Sequence, residues 1–230
     1  MLTLDGLRVE QGGFHLSADW SVAKGARVAI IGPSGAGKST LLAAIAGFVP
    51  LRSGRVLVDG RDVTGLAPAR RNVSLLFQDH NLFAHLSVAK NVGLGLSPTL
   101  RLDPAGWAQV EDALATVGLS GLGARMPATL SGGQQSRAAL ARVLLMSRPV
   151  VLMDEPFSAL GPALRTEMLE LVKLTLGKSG ATLLLVTHDP QDARRLEGGT
   201  VLMAQGVAMP PVDTVELFAD PPSALRDYLG

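Results

Sequence analysis

The residues best suited to chemistry begin with a glycine-rich loop, and Thr40 directly after it is a further binding candidate. The loop consists of Gly32, Pro33, Ser34, Gly35, Ala36, Gly37, Lys38 and Ser39. Its sequence fits the pattern G-x-x-x-x-G-K-[ST], and the loop lies between a short apolar run and a segment with helical spacing, which is the context that this motif requires. Glycines let backbone N–H groups approach phosphate oxygens, and the N-terminus of a helix adds a favourable dipole. The loop therefore predicts a nucleotide-binding site, in preference to a glycine-rich turn without a ligand.

Two side chains of the loop have specific roles in this prediction. Lys38 would bridge the β- and γ-phosphates of a nucleoside triphosphate, and the hydroxyl of Ser39 would bind Mg²⁺. Lys38 is therefore a candidate for catalysis as well as for binding.

Two carboxylates follow another apolar run. Asp154 and Glu155 come directly after Val150 to Met153, which reads as a buried strand, and open α/β sheets bind ligands at the carboxyl ends of their strands. Asp154 suits a ligand of Mg²⁺, directly or through water, and Glu155 suits a general base that orients a water molecule at the γ-phosphate. An acidic pair at a strand end is, by itself, more often a helix start or a solvated turn. The phosphate loop makes the catalytic interpretation the stronger one.

The elements that would position these residues indicate an α/β fold. Phe14 to Val22 alternates between apolar and polar residues, which predicts a half-buried strand that pairs antiparallel with Leu2 to Leu4. Nearly continuous apolar runs predict central parallel strands at Val28 to Ile31, Val73 to Leu76, Val150 to Met153 and Thr182 to Val186, the last taken as the final core strand. Helical spacing is found at Ser39 to Phe48, Ser131 to Ser147 and Ala163 to Leu176, with Gly47 and Gly177 where helix ends favour a left-handed residue.

The stretch from Asp79 to Leu130 has no strong strand signal. It has helical patches around Val88 and at Val110 to Val117, so we predict an inserted helical lobe. Asp213 to Glu216 has capping-box spacing, which predicts a short last helix. The chain is thus expected to form a single domain over residues 1–230. Residues 1–78 and 150–230 would form its core with a β part, and residues 79–149 an inserted helical subdomain.

Composition excludes several classes of protein. Lysine and arginine number 21 against 20 acidic residues, so the net charge of +1 gives no reason to expect a nucleic-acid surface. There are no cysteines, which excludes disulfides and thiolate metal sites. The N-terminus does not resemble a signal peptide, and the apolar stretches are shorter than the ~18 residues that span a bilayer. Any work at a membrane would need a partner that provides the span.

A pentapeptide and four further matches now identify a family resemblance. Leu130-Ser131-Gly132-Gly133-Gln134 is the signature sequence of ABC ATPases, which this chain resembles over nearly its whole length. Gln78 matches the Q-loop glutamine and precedes the signature. After the signature, Asp154 and Glu155 match the Walker B pair and Ser158-Ala159-Leu160 matches the start of the D-loop. His188 then matches the switch histidine, so all of these motifs occur in the family's order.

The resemblance implies the fold, the ligands and the oligomer. It implies a P-loop NTPase fold of the ABC ATPase type, with a mixed central sheet, an N-terminal antiparallel β part and an inserted helical subdomain. It implies that ATP and Mg²⁺ bind, that Gln78 binds the metal and acts in catalysis, and that His188 contacts the γ-phosphate. It also implies a head-to-tail dimer in which Ser131, Gly132, Gly133 and Gln134 of one copy face the ATP held by the phosphate loop of the other. Ser131 suits a helix cap, and by itself this segment would be mostly a cap.

The resemblance also implies a place of work. An importer ATPase would lie at the cytoplasmic face of the inner membrane, as a peripheral subunit beneath a transmembrane permease that receives substrate from an external binding protein. Asp79 to Phe83 resembles the segment that receives the permease, with a surface loop as the alternative. Phe77 to Phe83 and Asn91 to Pro98 look like the ATP-binding subunit of bacterial thiamine importers.

Three positions depart from the family pattern. Gly161 stands where an aspartate usually contacts the opposite subunit, so we expect weaker cooperativity between the two nucleotide sites. Phe14 is the aromatic nearest to the position that usually stacks on adenine, although its place on the apolar face of its strand is the favoured interpretation. Gln134-Gln135-Ser136-Arg137 stands where the family more often has an extra arginine, and no functional consequence follows from it.

Three alternatives stay open at this point. The chain could serve an importer for another solute. It could be a soluble ABC ATPase of DNA repair, translation or cluster assembly, although it has no second cassette, coiled-coil insertion or basic stripe. It could be a small-molecule kinase, against which the pentapeptide from Leu130 argues strongly.

Overall fold

The computed structural model describes residues 1–79, 81–158 and 160–229. His80 and Ala159 belong to two of the segments discussed above, and they lie outside the described residues, as does Gly230.

Within that part of the chain, eleven strands form one sheet. Their bounds are β1 Leu2–Gln11, β2 Phe14–Val22, β3 Arg27–Ile31, β4 Ser53–Val58, β5 Arg61–Asp62, β6 Val73–Leu76, β7 Val150–Asp154, β8 Thr182–Val186, β9 Gly199–Ala204, β10 Val207–Ala208 and β11 Val212–Asp213. The strand order is β5-β4-β1-β2-β10-β9-β3-β8-β7-β6, and β11 pairs with β9.

The sheet has an antiparallel and a parallel part, as the apolar patterns predict. β1 pairs antiparallel with both β2 and β4. β3 pairs parallel with β8 and β9, and β7 pairs parallel with β8. Every residue of β8 is buried, which explains its unbroken apolar sequence. The carboxyl ends of β3, β7 and β8 therefore point in the same direction.

The helices have the following bounds: α1 Lys38–Ala46, α2 Val88–Gly93, α3 Pro104–Thr116, α4 Gly132–Leu145, α5 Pro162–Ser179, α6 Pro190–Leu196, α7 Thr214–Ala219 and α8 Ser223–Leu229. Short 3₁₀ turns occur at Pro68–Arg70 and Pro127–Thr129.

The chain divides into two compact units. The sheet unit contains residues 1–75, 149–155 and 180–230, and the helical unit contains residues 76–148 and 156–179. The sheet unit has a large apolar core in which α1 packs with the strands. The helical unit corresponds to the predicted inserted lobe with one addition, since α5 groups with it rather than with the sheet. A single ABC ATPase domain built from these two parts stays a prediction.

Three predictions were wrong, one about where a helix ends and two about which strand and which helix come last. Gly177 lies inside α5, which continues to Ser179, and the left-handed residue at its end is Gly180 with a φ of 66°. Thr182 to Val186 is not the final core strand, because β9 follows it and pairs with β3. The helix capped by Asp213 is not the last one, because α8 follows it. The cap itself is confirmed, since the Asp213 carboxylate accepts hydrogen bonds from the N–H groups of Val215 and Glu216.

The C-terminus of α1 is closed by a buried arginine. Arg71 is 4% exposed, and its guanidinium donates to the carbonyl oxygens of Ala44 and Ile45 at 3.0 and 3.1 Å. The last carbonyls of a helix have no i+4 N–H partner within it, and a cation near them also complements the helix dipole. Arg71 thus fixes the far end of the helix that begins at the phosphate loop.

Candidate nucleotide-binding and hydrolysis site

The glycine-rich loop joins the end of β3 to the start of α1, and its geometry requires glycine. Gly32 has a φ of 148°, and a Cβ there would overlap the carbonyl oxygen of Met203 on the neighbouring β9. Gly37 caps α1 in the left-handed region, with a φ of 99°. Larger residues at these two positions would move the loop away from the sheet. The loop therefore brings backbone N–H groups and a helix N-terminus together at one edge of the parallel strands.

Lys38, the first residue of α1, points back into this loop. Its ammonium donates to the carbonyl oxygens of Gly32 and Pro33 at 2.7 and 2.9 Å, and the residue is 8% exposed. Burial lowers the pKa of Lys38, and the nearby carboxylates of Glu155 and Asp154 act in the opposite direction. An ammonium has three donors, so a phosphate oxygen can accept one while the carbonyls hold the others.

Ser39 and Asp154 meet although they are far apart in the sequence. The Ser39 hydroxyl donates to the Asp154 carboxylate at 3.0 Å. Burial raises the pKa of Asp154, Glu155 raises it further, and the Ser39 hydrogen bond and Lys38 lower it. The pair offers two hard oxygen ligands at one point, as Mg²⁺ prefers.

Glu155 and His188 meet at the ends of two adjacent strands. Glu155 has a left-handed backbone with a φ of 44°, and its N–H donates to the carbonyl oxygen of Val186 at 3.1 Å. Its carboxylate lies 3.0 Å from Nδ1 of His188. A positive φ is uncommon outside glycine and often marks a functional residue. The backbone turn directs the Glu155 side chain to the imidazole.

One residue of this cluster was missed by the sequence analysis. The hydroxyl of Tyr228, on α8, donates to the backbone carbonyl of His188 at 2.7 Å. The two residues are 40 positions apart. Neither the residue type of Tyr228 nor its distance in sequence from His188 predicts this contact, because the contact depends on where the tertiary structure places α8.

The signature residues lie in the helical unit, at the N-terminus of α4. The Ser131 hydroxyl accepts from the N–H of Gln134, and the Gln134 side chain accepts from the N–H of Ser131, which is a complete capping box. A Cβ on Gly132 would meet no described atom within 4 Å, so the backbone here is open. The segment has the geometry of a helix cap, as predicted, and it also presents a helix N-terminus to an anion.

The other predicted residues have simple surroundings. Gln78 is exposed and follows β6 in the helical unit. Phe14 packs partly buried against the core, and its ring tip lies where a Cβ on Gly37 would be. The ring of Phe14 therefore lies beside the loop, while stacking on adenine stays a prediction, as do the roles of Gln78 and Thr40.

Most of the chain matches a known protein family. The model of the family described as ABC transporter matches residues 16–158, which is more than half of the chain. The chain belongs to the ABC transporter family. The resemblance to ABC ATPases inferred from Leu130 to Gln134 is thereby confirmed.

Two curated relatives of this ABC protein match it from end to end. It is 58% identical over 230 residues to the thiamine import ATP-binding protein ThiQ of Cereibacter sphaeroides, covering 100% of both chains. It is 56% identical over 230 residues to the protein of the same name from a Ruegeria species, again covering 100% of both.

A solved structure confirms the predicted fold class. This solved structure is the ATP-binding cassette MJ0796 in a dimeric post-hydrolysis state bound to ADP and Pi. Its comparison with this chain gives a TM-score of 0.81 and a sequence identity of 27%. The match covers 93% of this ABC protein and 99% of that chain. Among the helices of the described residues, none has the length and apolar character needed to cross a membrane.

Proposed function

We propose that this ABC protein is the ATP-binding and ATP-hydrolysing subunit of a thiamine importer. The observation that carries the proposal is the 58% identity, over the whole of both chains, to a thiamine import ATP-binding protein. The cluster of Lys38, Ser39, Asp154, Glu155 and His188 in the sheet unit supports the chemistry.

ATP binds first at the phosphate loop. Backbone N–H groups of the loop and the N-terminus of α1 receive the phosphates. The ammonium of Lys38 already lies in the loop, so its positive charge is in place before ATP binds. The donor set also fits Mg²⁺, because Ser39 and Asp154 already place a hydroxyl and a carboxylate 3.0 Å apart. These two residues would hold the ion, and the role of Gln78 as a further ligand stays a prediction. When bound, the ion neutralises charge that develops on the phosphate oxygens.

Hydrolysis then uses Glu155 and His188. A water oxygen bonds to the γ-phosphorus, the bond from this phosphorus to the bridging oxygen breaks, and Glu155 accepts the proton of the water. ADP and phosphate are the products. His188, 3.0 Å from the carboxylate, holds Glu155 in the orientation that this proton transfer needs and contacts the γ-phosphate.

A second copy of the chain completes the site. The solved relative is dimeric, and the Ser131 to Gln134 helix start of one copy would face the ATP of the other, as in the head-to-tail arrangement predicted from sequence. The open backbone at Gly132 and the dipole of α4, a helix of 14 residues, favour an anion there.

A loop of the helical unit suits the permease contact. Phe83 is 49% exposed, and its ring packs edge-on against His85. The buried Asn91 holds this loop, since its side chain accepts from the N–H of Phe83 and donates to the carbonyl oxygens of Phe83, Leu86 and Ser87. An exposed aromatic on a rigid support is a typical anchor for a partner protein. The permease would hold this subunit at the cytoplasmic face of the inner membrane, and an external binding protein would deliver thiamine.

Uptake of labelled thiamine tests this proposal. The chain is reconstituted into proteoliposomes with its permease and binding protein, ATP is supplied on the side of the ABC subunit, and uptake is compared for the parent and for Glu155→Gln. Glu170→Gln is the matched control, because Glu170 lies on the surface of α5 and pairs with Lys173. We expect uptake with the parent and the control and none with Glu155→Gln. Absence of ATP-dependent uptake by the parent would contradict the proposal.

A further inference from the structure

The last helix described in the sheet unit contacts the hydrolysis site through Tyr228. Tyr228 lies on α8, and its hydroxyl donates to the carbonyl oxygen of His188 at 2.7 Å. The imidazole of the same residue, His188, lies 3.0 Å from the Glu155 carboxylate. A chain of two short contacts thus links α8 to the candidate general base.

The neighbours of His188 in the sequence are held by other groups. The Thr187 hydroxyl donates to Asp192 at 2.6 Å and accepts from the N–H of Asp189 at 3.1 Å. The Asp189 carboxylate caps α6 by accepting from the N–H of Gln191. These contacts fix the start of α6, whereas the carbonyl of His188 itself is held by Tyr228.

The helix that carries Tyr228 is anchored close to this contact. Leu225 is fully buried, and the N–H groups of Leu225 and Arg226 both donate to the carbonyl oxygen of Pro222. The Arg226 guanidinium donates to the carbonyl oxygen of Pro221 at 2.8 Å. The bonds to Pro221 and Pro222 lie at the start of α8 itself, and the burial of Leu225 holds the helix in place independently of Tyr228.

The phenol has the protonation state that this contact needs. Burial raises the pKa of Tyr228, and the Glu155 and Asp189 carboxylates raise it further. The hydroxyl therefore stays a donor throughout the neutral range. Phenylalanine at position 228 would keep the ring and lose the hydroxyl that donates to the carbonyl oxygen of His188.

We propose that Tyr228 is a positioning residue for ATP hydrolysis, whose hydroxyl fixes the backbone of His188 and so keeps the imidazole against Glu155. This inference rests on the proposed hydrolytic function. It assigns a role in the reaction to α8, which contributes no residue of the five sequence motifs.

Two variants of the full chain separate positioning from packing. Tyr228→Phe removes the hydroxyl alone, and Tyr228→Leu removes the aromatic ring as well. For both we would measure steady-state ATP hydrolysis, KM for ATP and the midpoint of thermal unfolding. The imidazole signals of His188 would be followed by NMR, assigned by their absence from His188→Gln. Glu155→Gln, measured beside them, reports whether hydrolysis itself uses the proposed site.

For Tyr228→Phe we expect kcat to fall about 3- to 10-fold, which corresponds to the loss of one hydrogen bond that orients a catalytic group. KM for ATP and the unfolding midpoint should stay close to those of the parent, and the His188 signals should shift. An unchanged kcat with unchanged His188 signals would overturn the inference. So would a loss of kcat that parallels a loss of thermal stability in both variants, because packing would then be the cause. If the parent does not hydrolyse ATP, the proposed function fails, and if the parent and Glu155→Gln hydrolyse ATP equally, the general base lies elsewhere. In both cases the NMR comparison still tests the contact.

Discussion

The two candidate anion-binding regions of this protein differ in how many of the groups needed for a site each one contains. The phosphate loop in the sheet unit has its partners beside it: Lys38 donates to carbonyl oxygens of the loop at 2.7 and 2.9 Å, and Ser39 donates to Asp154 at 3.0 Å. The signature in the helical unit has a capped helix start, and its backbone is open at Gly132. Both begin a helix, but the first also carries a cation, carboxylates and a histidine.

This difference indicates which region does the chemistry. Charge and a general base are needed where the phosphate bond breaks, whereas a neutral helix start is sufficient to recognise the phosphates from the other side. The loop region should therefore determine whether ATP is hydrolysed, and the signature should determine whether two copies act together.

The largest effect is expected in the loop region, from Glu155→Gln. The amide keeps the shape of the side chain but cannot accept a proton from water, so kcat should fall by at least about 100-fold while ATP still binds. Release of phosphate without any acceptor, with Glu170→Gln as control, is the measurement. Phosphate release at the parent rate would show that the base lies elsewhere, and release only with an added acceptor would indicate a kinase.

The next effect concerns the division of the site between two copies. Lys38→Ala removes the loop cation and Ser131→Glu places a carboxylate at the signature, so each variant alone should be nearly inactive. Mixed in equal amounts, half of the dimers carry one intact site, and roughly a quarter of the parent activity should return. Mixing either variant with itself is the control. No recovery in the mixture would mean that the signature does not complete the site of another copy.

A smaller effect is expected at Gly161, where the family pattern has an aspartate. Gly161 has no left-handed backbone, and a Cβ there would meet no described atom within 4 Å, so a side chain fits. For Gly161→Asp we expect the Hill coefficient for ATP to rise from about 1 towards 2, because the carboxylate restores a link between the two sites. Gly161→Ala controls for the added Cβ. An unchanged ATPase rate and Hill coefficient in Gly161→Asp would end this interpretation.

The smallest effect is one of stability, at Asp154. Its raised pKa, caused chiefly by burial, means that folding disfavours the charged form. A group of this kind contributes its stability below its unfolded pKa and loses it as pH rises through the folded pKa. Asp154→Asn should therefore unfold about 1 to 3 °C above the parent at pH 7 while losing ATPase activity. The gain should shrink at a pH near 4, and a lower midpoint at neutral pH would contradict the assignment.

Sequence patterns predicted the parts of the site that depend on local chemistry. Gly32 and Gly37 are glycines because of backbone geometry, and Asp154 follows a strand whose apolar run is unmistakable. Ser39 and Asp154 were both predicted to bind Mg²⁺, the latter because open α/β sheets bind ligands at the carboxyl ends of their strands, and the two residues are hydrogen-bonded in the structure.

The parts that were missed depend on distant returns of the chain. Tyr228 reaches His188 because α8 folds back onto the sheet unit, and no local pattern encodes that return. Arg71 contacts the end of α1 at residues that are 26 and 27 positions away in the sequence. From sequence alone, Arg71 looks like an ordinary surface arginine. Gly177 was placed at a helix end because glycine favours one, yet α5 tolerates it in its last turn at a modest cost.

The most direct test of the thiamine assignment is ATP hydrolysis by the assembled importer with and without thiamine. The complex of this chain, its permease and its binding protein is placed in proteoliposomes, and hydrolysis is measured as thiamine or another small solute is added. Stimulation by thiamine, lost in Glu155→Gln and retained in Glu170→Gln, is the result that this account predicts. Stimulation by a different solute but not by thiamine would contradict it.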